Sequence, residues 1–134
     1  MLLDTCTLLW LASSSDKLPA GVRRVIASNA GNLFISAITA FEIGIKHGRG
    51  KLELPLAPAD WIAATLDHHD VQEIAVDWRI AERSTALPRL HKDPADRIII
   101  ATSLTTGAPI LTPDGEIAQY PGVTVIWDGT PPSR

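Results

Sequence analysis

The stretch HKDPADRIIIATSL, residues 91–104, sets two aspartates three positions apart, directly ahead of three consecutive isoleucines. Two kinds of chemistry place acids at the mouth of so apolar a run. A carboxylate at a helix start accepts backbone N–H groups and answers the helix dipole. A carboxylate carried to a buried edge beside others is a hard oxygen ligand of the kind that Mg2+ or Mn2+ takes. Asp96 stands three and four residues before Ile99 and Ile100, so it extends the apolar stripe of its own helix. Glu42, four residues after Ile38 and three before Ile45, borders another such stripe. Asp4 follows the apolar opening, and Asp114 follows PILTP. An unpaired charge at a buried face is costly, so four acids placed this way point to a bound cation.

Each acid also has a simpler role. Asp4 can cap a helix starting at Thr5. Glu42 can pair with Lys46 one turn on. Asp96 can answer its helix dipole, and Asp114 with Gly115 can form a turn. Spacing alone leaves both sets of roles open. Within 93–96 the labour divides. Asp93 precedes Pro94, which suits a first helical position, so Asp93 is the expected N-cap, accepting the N–H of Asp96. Asp96 then lies on the inward stripe with Ile99 and Ile100, free of the cap.

The elements that must bring these acids together are short. Apolar runs at 1–3, 32–35, 71–75, 109–111 and 123–127 read as strands covered on both faces. Helical patterns lie between them at 5–12, 19–28, 36–47, 58–67, 77–86 and 94–106. Pro19 suits a first helical position, Ile38, Phe41 and Ile45 form one stripe, and Gly107 closes the last helix. Strands alternating with helices predict a parallel or mostly parallel sheet with helices on both sides. In such sheets ligands bind beyond the carboxyl ends of strands, where the strand order reverses. Asp4 and Asp114 are both candidates for that edge.

The composition narrows the classes. A chain of 134 residues that is 46% hydrophobic can fill one core. One domain over 1–129 is expected, with 130–134, which include Pro131 and Pro132, as a loose tail. No apolar run approaches the roughly 20 residues of a membrane span, and no leader pattern is visible. The single cysteine, Cys6, excludes an internal disulfide and a cysteine zinc site. A cytoplasmic setting is expected. The net charge of −3 runs against nucleic-acid binding. That objection weakens if carboxylates hold divalent cations, which would make the site neutral toward phosphate.

With these residues in place the chain resembles the PIN-domain ribonucleases, and most closely the VapC-type toxins of bacterial toxin–antitoxin pairs. The likeness runs nearly end to end through LLDTCTLLWLA (2–12), SAITAFEIGIKHGRGKLELP (36–55), HKDPADRIIIA (91–101) and PILTPDGEIAQYPGVTVIW (109–127), in that order. The resemblance implies a three-layer α/β/α fold with a central five-stranded, mostly parallel sheet in which the first and fourth strands are neighbours. It puts the acidic ligands on Asp4, Glu42, Asp96 and Asp114 and accessory hydroxyls on Thr5 and Thr112. It implies metal-dependent cleavage of RNA phosphodiesters with Mg2+ or Mn2+, a homodimer, and a small VapB-like antitoxin. Departures are a first strand with only three residues ahead of Asp4, Cys6 where the family often has histidine, and no aromatic residue in Asp-Gly-Glu after Pro113.

Substrate contact needs positive charge around an acidic pit. Lys46, Arg49 and Lys51 follow Glu42, and Arg97 follows Asp96. These are the candidate phosphate contacts, against a solvated helix face. His47, His68, His69 and His91 show no metal-ligand pattern and are expected in surface or core roles. Trp10, Trp61, Trp78 and Trp127 are expected in the core or an interface. A non-catalytic module keeping this fold is the alternative, against which the four retained acids argue. A phosphoryl-accepting receiver domain needs adjacent acids after the first strand and a late lysine, and the chain has Asp4-Thr5 and no lysine after Lys92.

Overall fold

The computed structural model describes residues 1–127; the expected tail at 130–134 lies outside the described residues. In chain order the elements are β1 (Leu2–Leu3), α1 (Thr5–Ala12), α2 (Ala20–Ser28), β2 (Leu33–Ser36), α3 (Ala37–Gly48) and α4 (Pro58–His69), then β3 (Val71–Ile74), α5 (Trp78–Ala86), α6 (Pro94–Thr106), β4 (Ile110–Leu111), α7 (Gly115–Ala118) and β5 (Val125–Ile126). The five strands form one sheet in the order β3-β2-β1-β4-β5, with every pairing parallel.

Side chains alternate across a strand, and the core divides accordingly. Leu3, Ile35 and Leu111 point into one apolar cluster with Leu8 of α1, Val22 of α2, Ile43 of α3 and Trp61 of α4. Their neighbours Leu2, Phe34 and Ile110 point into the other, with Ile99 and Ile100 of α6 and Ile117 of α7. This is the expected three-layer α/β/α arrangement. Burying each such side chain contributes roughly 1.5–3 kcal/mol, which lets two-residue strands hold the centre. The β1 ladder also extends past its ends: the Met1 ammonium donates to the Asn32 carbonyl at 2.9 Å and the Asp4 N–H to that of Leu111 at 3.3 Å.

The order of strands places the site. From β1 the chain winds outward through β2 to β3, then returns to lay β4 on the other side of β1. The order reverses between β1 and β4, whose carboxyl ends lead into Asp4 and Thr112.

Three local expectations change. Pro19 is the N-cap of α2, one residue before the helix. Asp114-Gly115 opens the four-residue helix α7, because the Asp114 side chain accepts the Glu116 N–H and caps it. Phe41 is 62% exposed and leaves the expected stripe. Helix α3 touches both clusters, through Ile43 on one side and Ile38 on the other, which leaves Phe41 in neither. Trp61 is buried and the Trp10 and Trp127 rings pack 6.1 Å apart, whereas Trp78 is 69% exposed with the Arg79 guanidinium over its ring.

Candidate functional site

Asp4 sits where β1 ends and α1 begins, and does two jobs. Its Oδ1 accepts the Thr7 N–H at 3.0 Å, capping α1, and its Oδ2 accepts the Thr112 hydroxyl at 2.5 Å. The carboxylate is only 5% exposed and owes its tolerance of burial to these donors. Its ligand atoms join neither of the close groups formed by the other acids, although its charge adds to the upward shifts of Glu42 and Asp96. The Cys6 thiol lies 3.4 Å from Asp4 Oδ1; burial, with Asp4 adding, pushes its pKa upward, so the thiol stays protonated.

Glu42 reaches the same edge from α3. The Thr5 hydroxyl donates to its Oε1 at 2.5 Å, and Lys46 Nζ lies 3.9 Å from its Oε2. Burial pushes the Glu42 pKa up and Asp93 and Asp4 add to this, outweighing Thr5 and Lys46. Among the acids, Asp96, in the first turn of α6, is displaced furthest. Burial first, then Asp93, Glu42 and Asp4, raise its carboxyl from an ordinary 3.8 to about 7, against the opposing pull of His91. Asp93 caps α6 as expected, but accepts the N–H of Ala95 at 2.9 Å and not that of Asp96. The tighter turn leaves the Asp96 side chain clear of the cap.

Asp114 closes the fourth side. Its N–H donates to Thr112 Oγ1 at 3.1 Å, so Thr112 ties Asp4 to Asp114. Asp114 Oδ2 lies 2.9 Å from His91 Nε2, which is also 3.1 Å from Asp96 Oδ2. Burial draws the His91 pKa down, but Asp114, Asp96 and Glu116 outweigh it, and the net shift is upward. Sequence reasoning passed over this histidine. Its one local signal is its place two residues before Asp93, whose N–H donates to His91 Nδ1 at 3.1 Å.

The donors suit a hard divalent cation. Ligand atoms of Glu42, Asp93 and Asp96 lie within 4.8 Å of one another, as do those of His91, Asp96 and Asp114, so Asp96 belongs to both groups. The upward shifts of Glu42 and Asp96 are the physical test. The fold holds these acids close against their own repulsion, and an oxygen-seeking cation between them would relieve it.

The expected cations fall into two sets. Lys46, Arg49 and Lys51 line a groove with Phe41, Glu42 and Ile45 on one wall and Asp93, Pro94 and Ala95 on the other, running up to the acids. Arg97 does not join them. Its guanidinium donates to the carbonyls of Ser84 at 2.8 Å, Leu87 at 2.9 Å, Pro88 at 3.0 Å and His91 at 3.4 Å, and to the Tyr120 hydroxyl at 3.4 Å. Those oxygens use its fork, so the expected phosphate contact at Arg97 is corrected to a clamp on the loop that carries His91.

The PIN domain profile matches residues 1–123. The chain is 25% identical over 130 residues to Ribonuclease VapC22 of Mycobacterium tuberculosis, covering 95% of this chain and 98% of that protein. Among solved structures it is similar to VapBC2 from Rickettsia felis bound to a promoter DNA fragment, with a TM-score of 0.69, 16% identity, and coverage of 93% of this chain and 96% of that one. DNA-bound VapBC from Salmonella typhimurium aligns with a TM-score of 0.67 and 21% identity over 93% of this chain and 95% of that one. These structural likenesses bear on the fold. Among the described residues no helix is long and apolar enough to cross a membrane.

Proposed function

The chain belongs to the PIN-domain family, and from that premise we propose that it is a metal-dependent ribonuclease acting as the toxin of a toxin–antitoxin pair. The observation that carries this reading is the acid group at the β1/β4 switch, with Asp96 raised to about 7 by burial and by its acidic neighbours. His91 opposes this shift without cancelling it, so the net effect is that of acid set beside acid. Asp4, Glu42, Asp96 and Asp114 are the residues that would hold Mg2+ or Mn2+, directly or through water. When bound, a divalent cation would lower the pKa of a water and neutralise charge developing on the phosphate.

The remaining work belongs to the chain. Thr112 fixes Asp4 and Thr5 fixes Glu42, so both carboxylates keep their orientation when substrate arrives. Lys46, Arg49 and Lys51 offer positive charge along the groove to an RNA backbone. The exposed ring of Phe41 supplies a face on which a base can stack.

The same groove suits an antitoxin. It combines apolar walls at Phe41 and Ile45 with an acidic end, so a peptide with apolar anchors and a terminal cation fits it. The curated relative is named a ribonuclease, and the similar structures are VapBC complexes, in keeping with a small VapB-like partner. A homodimer belongs to the same reading, as does a cytoplasmic site of action. The deciding experiment uses purified, antitoxin-free protein. It should cut a structured RNA with Mg2+ or Mn2+ and stop with EDTA. Equal cleavage rates for Asp4→Asn and wild type would assign the activity elsewhere.

A further inference from the structure

His91 reaches the middle of the acid group by a route that fixes which nitrogen faces it. Its side chain is 11% exposed, and Nε2 lies 2.9 Å from Asp114 Oδ2, 3.1 Å from Asp96 Oδ2 and 3.7 Å from Glu116 Oε2. The other ring nitrogen is committed, since the Asp93 backbone N–H donates to Nδ1 at 3.1 Å. A neutral imidazole has one N–H and one lone pair. With the lone pair engaged at Nδ1, the hydrogen is on Nε2 and is directed at Asp114 Oδ2, with Asp96 Oδ2 beside it. Nε2 then has no lone pair to give a metal. Turning the ring over would set carbon against both the Asp93 N–H and the acids.

The loop that carries the ring is itself held. The His91 N–H donates to the Tyr120 hydroxyl at 2.8 Å, and Arg97 donates to the His91 carbonyl. The ring is therefore an anchored donor standing between Asp96 and Asp114. The gap between Glu42 and Asp96 differs, because acids alone face each other there and Lys46 approaches only Glu42.

We infer that His91 fills the second cation position of this site: its Nε2–H is bonded to Asp114 and stands against Asp96, and the chain takes one divalent ion, beside Glu42 and Asp96. Two-metal nucleases place their ions about 3.5–4 Å apart, and a pair sharing Asp96 would need the place the N–H occupies. His91 is thus a positioning residue, and Asp114, bonded to its N–H, meets the ion through water and not directly. The inference rests on the proposed metal site and goes beyond it in setting the number of ions.

The test is Mn2+ titration of the full chain, followed by calorimetry and electron paramagnetic resonance. Wild type should bind one Mn2+ per chain without the spectrum of a spin-coupled pair. His91→Ala should bind two, the second more weakly, with that spectrum. His91→Gln, whose amide offers an N–H at similar reach, should return to one, and Asp114→Asn alone should leave the count at one. Two ions on the wild type, or a single ion on a folded His91→Ala, would overturn the inference and leave the metal reading standing. No Mn2+ on the wild type would overturn both. Should His91→Ala fail to fold, the wild-type count and the spectrum decide the matter.

Discussion

Helices α1 and α6 both begin on acids at the same edge of the sheet, and they settle those acids in opposite ways. At α1 a single aspartate, Asp4, caps the helix and faces the site, with a backbone N–H on one oxygen and the Thr112 hydroxyl on the other. At α6 the roles separate. Asp93 takes the cap, and Asp96 stands inward with Asp93, Glu42 and Asp4 around it and, among the described residues, His91 at 3.1 Å pulling the other way. Fixed dipoles make Asp4 content to be buried, whereas Asp96 is left short of positive charge. That shortage is a stability cost in the metal-free chain and a driving force for cation binding.

Neutralising each acid should separate the two cases most sharply. Asp96→Asn and Asp4→Asn should both lose cleavage by orders of magnitude, since each removes a carboxylate from the set. Their melting temperatures in EDTA at pH 8 should move apart. Asparagine caps a helix about as well as aspartate, but at residue 4 it loses the charge that accepts the Thr112 hydroxyl, so Asp4→Asn should cost on the order of 1–3 kcal/mol. Asp96→Asn should leave stability unchanged or raised. Equal melting losses for the two variants would break the comparison.

Arg97 supports the α6 arrangement from outside. It joins the end of α5 and the loop at 87–91 to α6 through the carbonyls of Ser84, Leu87, Pro88 and His91. Arg97→Ala should cost about 2–4 kcal/mol, because carbonyls that are now paired lose a charged donor. Lysine should rescue poorly, having no planar fork. RNA affinity measured well below the melting temperature should change far less than with Lys46→Ala or Arg49→Ala, which should raise KM and flatten the salt dependence. An Arg97→Ala variant with wild-type melting and weak RNA binding would return this residue to the substrate set.

The pH dependence follows from Asp96. Its folded pKa of about 7 lies above its ordinary 3.8, so the native chain holds this proton more tightly than the unfolded one. The sign is thus the reverse of a salt-bridged acid: in EDTA this group's contribution is most favourable at low pH and is lost as pH rises from about 4 to about 7. Glu42 shifts in the same direction. Mn2+ affinity should rise across that window, by roughly tenfold per pH unit for one released proton, and level off above it. Calorimetry in buffers of different ionisation enthalpy would count the proton. An affinity flat from pH 5 to 7 would contradict the shift.

Much of this arrangement could be read from residue order because Asp4 and Asp114 stand just after strands and Asp96 early in a helix, where chain direction brings each to the carboxyl edge; Glu42, midway along α3, was legible only from its place beside an apolar stripe. Asp4 and Asp114 follow β1 and β4, and strand alternation with helices made those strands parallel. What could not be read depends on loops and on which side of a helix wins burial. His91 enters the site only because residues 88–93 turn back on themselves under Arg97 and Tyr120, which no spacing encodes. Arg97 follows an acid as a phosphate contact would, yet carbonyls far apart in sequence capture it. Phe41 fits the period of an apolar stripe, but α3 lies between two clusters, and the one remaining side faces solvent. Asp114-Gly115 reads equally as a turn or as the cap of a helix one turn long.

The smallest predicted effect tests the division of labour at α6 itself. Asp93 both caps the helix through Ala95 N–H and, by its charge, raises the Asp96 pKa. Asp93→Ala removes the cap, a cost of about 0.5–2 kcal/mol, but also removes a repulsive neighbour, so the measured loss at pH 8 in EDTA should fall at the low end of that range. Asp93→Asn keeps the cap and drops only the charge. It should match or exceed wild-type stability at pH 8, while at pH 4, where Asp96 is protonated in both, its advantage should vanish. Mn2+ affinity should persist in both variants, because Glu42 and Asp96 remain. If Asp93→Asn instead binds Mn2+ as poorly as Asp96→Asn while remaining folded, Asp93 is a ligand, and α6 resembles α1 in asking one acid to do both jobs.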